Sequence, residues 1–178
     1  MEFTLTYRGA LGSNGDPNEK HILRRHFHKQ LKELWQQPPL QGKIDSASRP
    51  FYEQLSEQVG PFRFVPLVSS RFSFTASLHV TFLRPGYPGQ LFRTGGDIDN
   101  RMKTLLDALT KPPENQIPKG DVPQADENPF YCLLQDDALI TGFSVATDRL
   151  LDCQGDREAL VLIRVETRCH LVFMVNDI

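Results

Sequence analysis

From Arg71 to Phe82 the chain alternates without a break. Phe72, Phe74, Ala76, Leu78, Val80 and Phe82 fall on one side, and Ser73, Thr75, Ser77, His79 and Thr81 on the other. Successive side chains of a strand point to opposite faces, so this run predicts a half-buried strand with one apolar face. Two helical stripes are available to pack on such a face. Residues 18–37 align Leu23, Phe27, Leu31 and Leu34, with Trp35 at the margin, before Pro38-Pro39 ends the run. Residues 100–110 place Met102, Leu105, Leu106 and Leu109 at i, i+3, i+4 and i+7. Further strands are expected at 2–7, 138–147, 159–167 and 170–175, the last two paired as an antiparallel hairpin, and a short helix within 51–59. The expectation is an α+β fold: a mixed sheet that includes 71–83, with helices packed on it.

At 178 residues the chain suits one domain, 1–178, and is long enough to bury a core. Residues 36–50, with Gly, Ser and Pro, read as a linker or extended loop. Residues 111–130 are rich in Pro, Gly and acid without periodicity and read as an inserted acidic loop. No apolar run approaches the roughly 18–20 residues of a membrane span, and Met-Glu-Phe-Thr-Leu-Thr is no signal peptide. Three cysteines, Cys132, Cys153 and Cys169, form no CxxC and suit a reduced, cytoplasmic life, with buried apolar thiols the default.

The net charge of −2 is unevenly spread. Residues 1–110 carry 14 Lys and Arg against 10 Asp and Glu, whereas residues 111–178 carry 6 against 12. The basic half holds a helix face with Arg25, Lys29 and Lys32, flanked by Arg24 and His28. Phosphate contact and a simple solvated face account for that pattern about equally. Arg93 and Arg101 are further candidates for nucleic-acid contact.

The stretch most suggestive of chemistry is Gly95-Gly96-Asp97-Ile98-Asp99-Asn100-Arg101-Met102-Lys103, followed after a helix by Gln135-Asp136-Asp137. Asp97 and Asp99, two apart in extended backbone, can face one hard cation, and Asp137 can join them. Clustered carboxylates repel one another without a cation, one physical reason to expect metal binding. Lys103 lies one helical turn beyond Asp99, where it can act as a point charge toward a phosphate. The plainer readings are also physical. Asp99 or Asn100 can cap a helix, Lys103 with Asp107 can form an i, i+4 pair, and Asp136-Asp137 can be a turn. Other constellations are absent from the sequence: no GxxxxGK[ST], no GxSxG, no zinc-type Cys/His spacing and no EF-hand loop. His26 and His28 point about 200° apart on a helix, a poor ligand pair.

The order D-x-D-N-x-x-K-x-x-x-D-A-L-T, carried by Asp97, Asp99, Asn100, Lys103, Asp107, Ala108, Leu109 and Thr110, with L-x-D-D later at Asp136 and Asp137, resembles the RusA-type Holliday-junction resolvases. The resemblance covers about the central quarter of the chain. It implies a RusA-like fold and a magnesium-dependent endonuclease that cuts four-way DNA junctions as a homodimer, with manganese a candidate substitute. Residue by residue, it assigns metal-binding carboxylates to Asp97, Asp99 and Asp137 and the functional lysine to Lys103, with Asp136 and Asn100 as neighbours. A bound ion would activate water and stabilise charge on the scissile phosphate. Two alternatives stand beside it: a metal-dependent nuclease on another nucleic acid, and a non-catalytic binding module that keeps the fold.

Overall fold

In the computed structural model, residues 1–42, 53–86 and 98–170 are described. Nine elements organise them: β1 (Glu2–Ala10), α1 (Pro17–Trp35), β2 (Glu57–Val59), β3 (Phe62–Val68), β4 (Phe74–Arg84), α2 (Ile98–Leu109), β5 (Phe130–Leu134), β6 (Ile140–Arg149) and β7 (Glu158–Cys169). They form two sheets. The larger has the order β1-β7-β4-β6 and the smaller β2-β3-β5. Both are mixed: β7 runs antiparallel to β1 and β4, β6 parallel to β4, and β3 antiparallel to β2 but parallel to β5.

The alternating run is the core strand of the larger sheet. Ala76, Leu78, Val80 and Phe82 are buried, and His79 on the other face is exposed beside Ser144. Their inward side meets Val161, Ile163 and Val165 of β7 and the stripes of both helices, Leu23, Phe27 and Leu31 from α1 and Met102, Leu105 and Leu109 from α2. A second apolar cluster, Phe62, Phe64, Phe130 and Cys132, fills the smaller sheet. No helix among the described residues is long and apolar enough to cross a membrane.

Several expectations are corrected. Residues 70–72 form a 3-10 turn, so β4 starts at Phe74; Ser73 there adopts φ 52°, which breaks the extended run. The hairpin expected between 159–167 and 170–175 is replaced up to Cys169 by one unbroken strand, because β7 is held on both sides, by β1 and by β4 out to Phe74–Cys169. Residues 171–175 lie outside the described residues. Within 51–59, residues 53–55 are helical but Glu57–Val59 is a strand paired to β3. The strands β3 and β5 have no counterpart among the expected elements. Of the linker read at 36–50, only residues up to 42 are described, as a turn. Cys132 is buried, but Cys153 and Cys169 are exposed.

Helix α1 starts where Asp16 accepts from the Glu19 N–H and Glu19 reaches back to the Asp16 N–H, with Pro17 in the first turn. Just before it, Gly15 packs so closely on α2 that a Cβ there would stand 2.7 Å from the Thr104 methyl. The Thr104 hydroxyl accepts from the Gly15 N–H at 2.9 Å and donates to the Asn100 carbonyl at 3.1 Å. This pair of hydrogen bonds ties the start of α2 to the β1–α1 loop. Thr104→Val is expected to cost about 1–2 kcal/mol, because the buried Gly15 N–H loses its acceptor. Urea unfolding measures this, and an unchanged midpoint would show that the tie contributes nothing.

Candidate functional site

The apolar stripe of α2 turns Met102, Leu105, Ala108 and Leu109 into the core and leaves Asp99 and Lys103 exposed, one turn apart. The helix starts at Ile98, so Asp99 and Asn100 stand inside its first turn, not at the cap. The Asp99 carboxylate accepts from the Asn100 N–H at 2.8 Å and places negative charge where the helix dipole favours it. Asp97 and Arg93 lie outside the described residues. Asp107 does not pair with Lys103; it binds Lys20 of α1 at 2.8 Å.

At the end of β5, the Gln135 N–H donates to the Val68 carbonyl and the Lys111 N–H to the Leu134 carbonyl, each at 2.9 Å. These bonds fix the chain just before the two aspartates. Asp136 then caps a 3-10 turn, accepting from the Ala138 N–H at 2.9 Å, and Asp137 opens that turn. Both are exposed. They border a cleft of about 610 Å3 with Asp107, Lys111 and Glu114. The cleft belongs to the C-terminal end of α2, where Thr110 bridges Leu134. Asp99 stands eleven residues earlier, roughly 16 Å along the helix axis at 1.5 Å per residue, and neither it nor Lys103 borders the cleft. Among the described residues no three His, Cys, Asp or Glu side chains converge as a metal-ligand set.

The basic face of α1 is largely engaged by the acidic segment. Arg25 holds Glu127 through Nε at 2.8 Å and Asp121 through its two Nη atoms at 3.0 and 2.9 Å. Lys32 donates to the Asp126 carbonyl at 3.1 Å. Arg24 is buried and donates to the Asp107 carbonyl at 3.1 Å. Lys29 is exposed and has no partner among the described residues. Arg101 is buried on α2 and donates to the Leu11 carbonyl. Of the candidate nucleic-acid contacts, then, Arg25 and Lys32 hold the acidic strap, Arg101 is packed against the β1–α1 loop, and Lys29 stands open. The second half of the 111–130 segment thus lies along α1 as a strap held at Asp121, Asp126 and Glu127.

Two histidines lie under this strap. The Tyr131 N–H donates into His28 Nδ1 at 2.9 Å, so that nitrogen carries a lone pair, and Nε2–H faces the Asp126 carbonyl at 3.3 Å. His28 is thereby neutral, and burial holds its pKa below the ordinary value. Burial and then the Arg25 charge push His21 down to about 4, against the pull of Asp121. Between pH 6.5, the ordinary value, and about 4 the unfolded chain takes up protons that folded His21 refuses. Stability is therefore intact above this window and falls as the pH drops through it. Urea midpoints at pH 7, 5.5 and 4.5 check this; a flat series would show that the histidines accept protons in place.

Comparison with protein-family models, with curated proteins and with solved structures finds no match for the chain. The resemblance rests on the motif residues alone.

Proposed function

We propose that the protein is a magnesium-dependent endonuclease acting on branched DNA. One observation carries the reading: Asp99, Lys103, Asp136 and Asp137 are exposed and enter no ion pair among the described residues, while acids that serve the fold, such as Asp107, Asp121 and Glu127, are paired. Other exposed acids, such as Glu33 and Asp148, are equally unpaired among the described residues, so it is the motif order of these four that favours a ligand. The motif makes Asp97, Asp99 and Asp137 the proposed ligands, an all-oxygen set of the kind magnesium takes, and sharing one ion would require Asp137 to move from its cleft toward the start of α2. The described residues alone do not close that set. Asp99 presents a carboxylate at the start of α2, Lys103 a point charge one turn on, and Asp137 a carboxylate on a turn fixed by β5. When bound, the ion would supply water activation and charge neutralisation at the phosphate. A homodimer, with one site for each side of a symmetric junction, belongs to the same proposal.

The test is cleavage of an end-labelled four-way junction with magnesium, with manganese and with chelator, beside duplex and single-strand controls. Symmetric metal-dependent nicks in the junction are expected. Cleavage of a different substrate would move the reading to another nuclease class. A second reading, a binding module without catalysis, draws on the separation of Asp99 from the cleft of Asp137; no cleavage of any substrate with either metal would select it.

A further inference from the structure

A cavity of about 620 Å3 lies between the β1–α1 loop, α1 and the first turns of α2. Three arginines line it from three separate places: Arg84 from the end of β4, Arg101 from α2, and Arg157 from the turn before β7. Ser13 and Thr104 line the same space. Arg101 is only 7% exposed, and Arg84 is half-buried, its Nε enclosed with no hydrogen-bond partner among the described residues. After burial, the charge of Arg84 is what lowers the pKa of Arg101, so the two cations stand close enough to repel. One carboxylate, Glu19, also lines the cavity; it accepts from the Asp16 N–H at 3.1 Å and forms no ion pair with Arg84 or Arg157 among the described residues. Like charges gathered around a void, with the buried Arg84 donor unsatisfied, are suited to an anion.

We propose that this cavity binds a phosphate group, with Arg84 and Arg157 as donors to its oxygens and Arg101 as a fixed charge behind them. Guanidinium forks match phosphate oxygens in geometry as well as charge. Arg101 sits two residues beyond Asp99 and Thr104 one turn beyond Asn100, so a phosphate held here lies beside the start of α2. The backbone of a nucleic-acid strand is the source that fits the proposed endonuclease, and to that extent the inference rests on that reading. The phosphate chemistry of the cavity does not.

Binding of a fluorescein-labelled four-way junction, in chelator so that nothing is cut, is measured from roughly 50 to 200 mM salt for the native chain, Arg84→Gln and Arg157→Gln. Arg101 is left intact because it also supports Leu11. Each variant is expected to bind more weakly, and its slope of log K against log salt to shrink by about 0.9 for each phosphate it no longer neutralises. Thermal shifts with inorganic phosphate and with adenosine monophosphate are run on the same proteins. A shift in the native chain that both variants lose supports the pocket, and with unchanged junction slopes it assigns a free phosphorylated ligand as the source. Unchanged slopes together with no phosphate-dependent shift in the native chain overturn the proposal. If the native chain cuts no substrate yet shows the shift, the pocket stands and the nuclease reading falls. If it cuts junctions while both variants keep native slopes and shifts, the reverse holds. Ligand-free melting of Arg157→Gln, whose side chain is exposed, controls for folding.

Discussion

Asp99→Asn and Asp137→Asn are each expected to lower magnesium-dependent cleavage of a four-way junction by at least about 100-fold, since even outer-shell partners of a metal site cost 10–100-fold when removed. Folding should survive. Asp99 is exposed, and the interaction it makes is acceptance from the Asn100 N–H, which an amide oxygen can keep. The lost charge at the helix start costs about 0.3–1 kcal/mol. Asp137 is exposed in a short turn whose capping side chain is its neighbour, Asp136. The measurement is single-turnover cleavage alongside thermal melting. Native rates in both variants, with intact folding, would remove these aspartates from the chemistry. Asp136→Asn is the internal comparison: its acceptor for the Ala138 N–H is retained, so a loss of rate there would bring Asp136 into the site.

Arg25→Ala is expected to destabilise the fold by about 3 kcal/mol, in the range for removing one partner of a buried ion pair. Glu127 is 2% exposed and receives its cation from Arg25, with Asp121 held by the same guanidinium. Truncation strands a buried carboxylate, and Arg25→Lys keeps the charge without the fork that spans both acids. Lys29→Ala, on the open part of the same helix, should change stability by no more than about 0.5 kcal/mol. Urea unfolding separates the two, and equal stability of native and Arg25→Ala proteins would show that the strap is not fastened there. The consequence for function is practical. Lys29 tests phosphate contact by α1 without disturbing the fold, and a variant lacking Arg25 cannot.

The charge imbalance between the two parts of the chain takes on a second meaning here. The excess of base before residue 110 and of acid after it reads as an external partner for the basic helix, yet Arg25 and Lys32 find acids within the chain, at Asp121, Glu127 and Asp126. Helix periodicity locates a charged face but is blind to what covers it, because Arg25 and Glu127 are 102 positions apart. Similarly, β3 and β5 escape a search for alternation. In β3, six of seven residues are buried, and the strand contains Pro66; β5 reads Phe-Tyr-Cys-Leu-Leu. Strands buried on both faces lose the period of two. Pro66 is tolerated because the pairing of β3 with β2 stops at Phe64. The start of α1 is more legible than its expected boundary at 18 allows, since Asp16-Pro17 with Glu19 three residues past the cap is a helix-start signature.

By itself, then, the sequence determined the α+β class, a strand within 71–83 whose start the structure moves to Phe74, the two helical stripes and the place of His79 on the polar face, because each depends on local period and on the need to bury one face. Only the tertiary structure decided that there are two sheets, that the acidic segment lies on α1, that Asp136 and Asp137 open at the far end of α2 from Asp99, and that Arg84, Arg101 and Arg157 share one cavity. These depend on the meeting of segments tens of residues apart, which is set by how the layers close and not by any spacing along the chain.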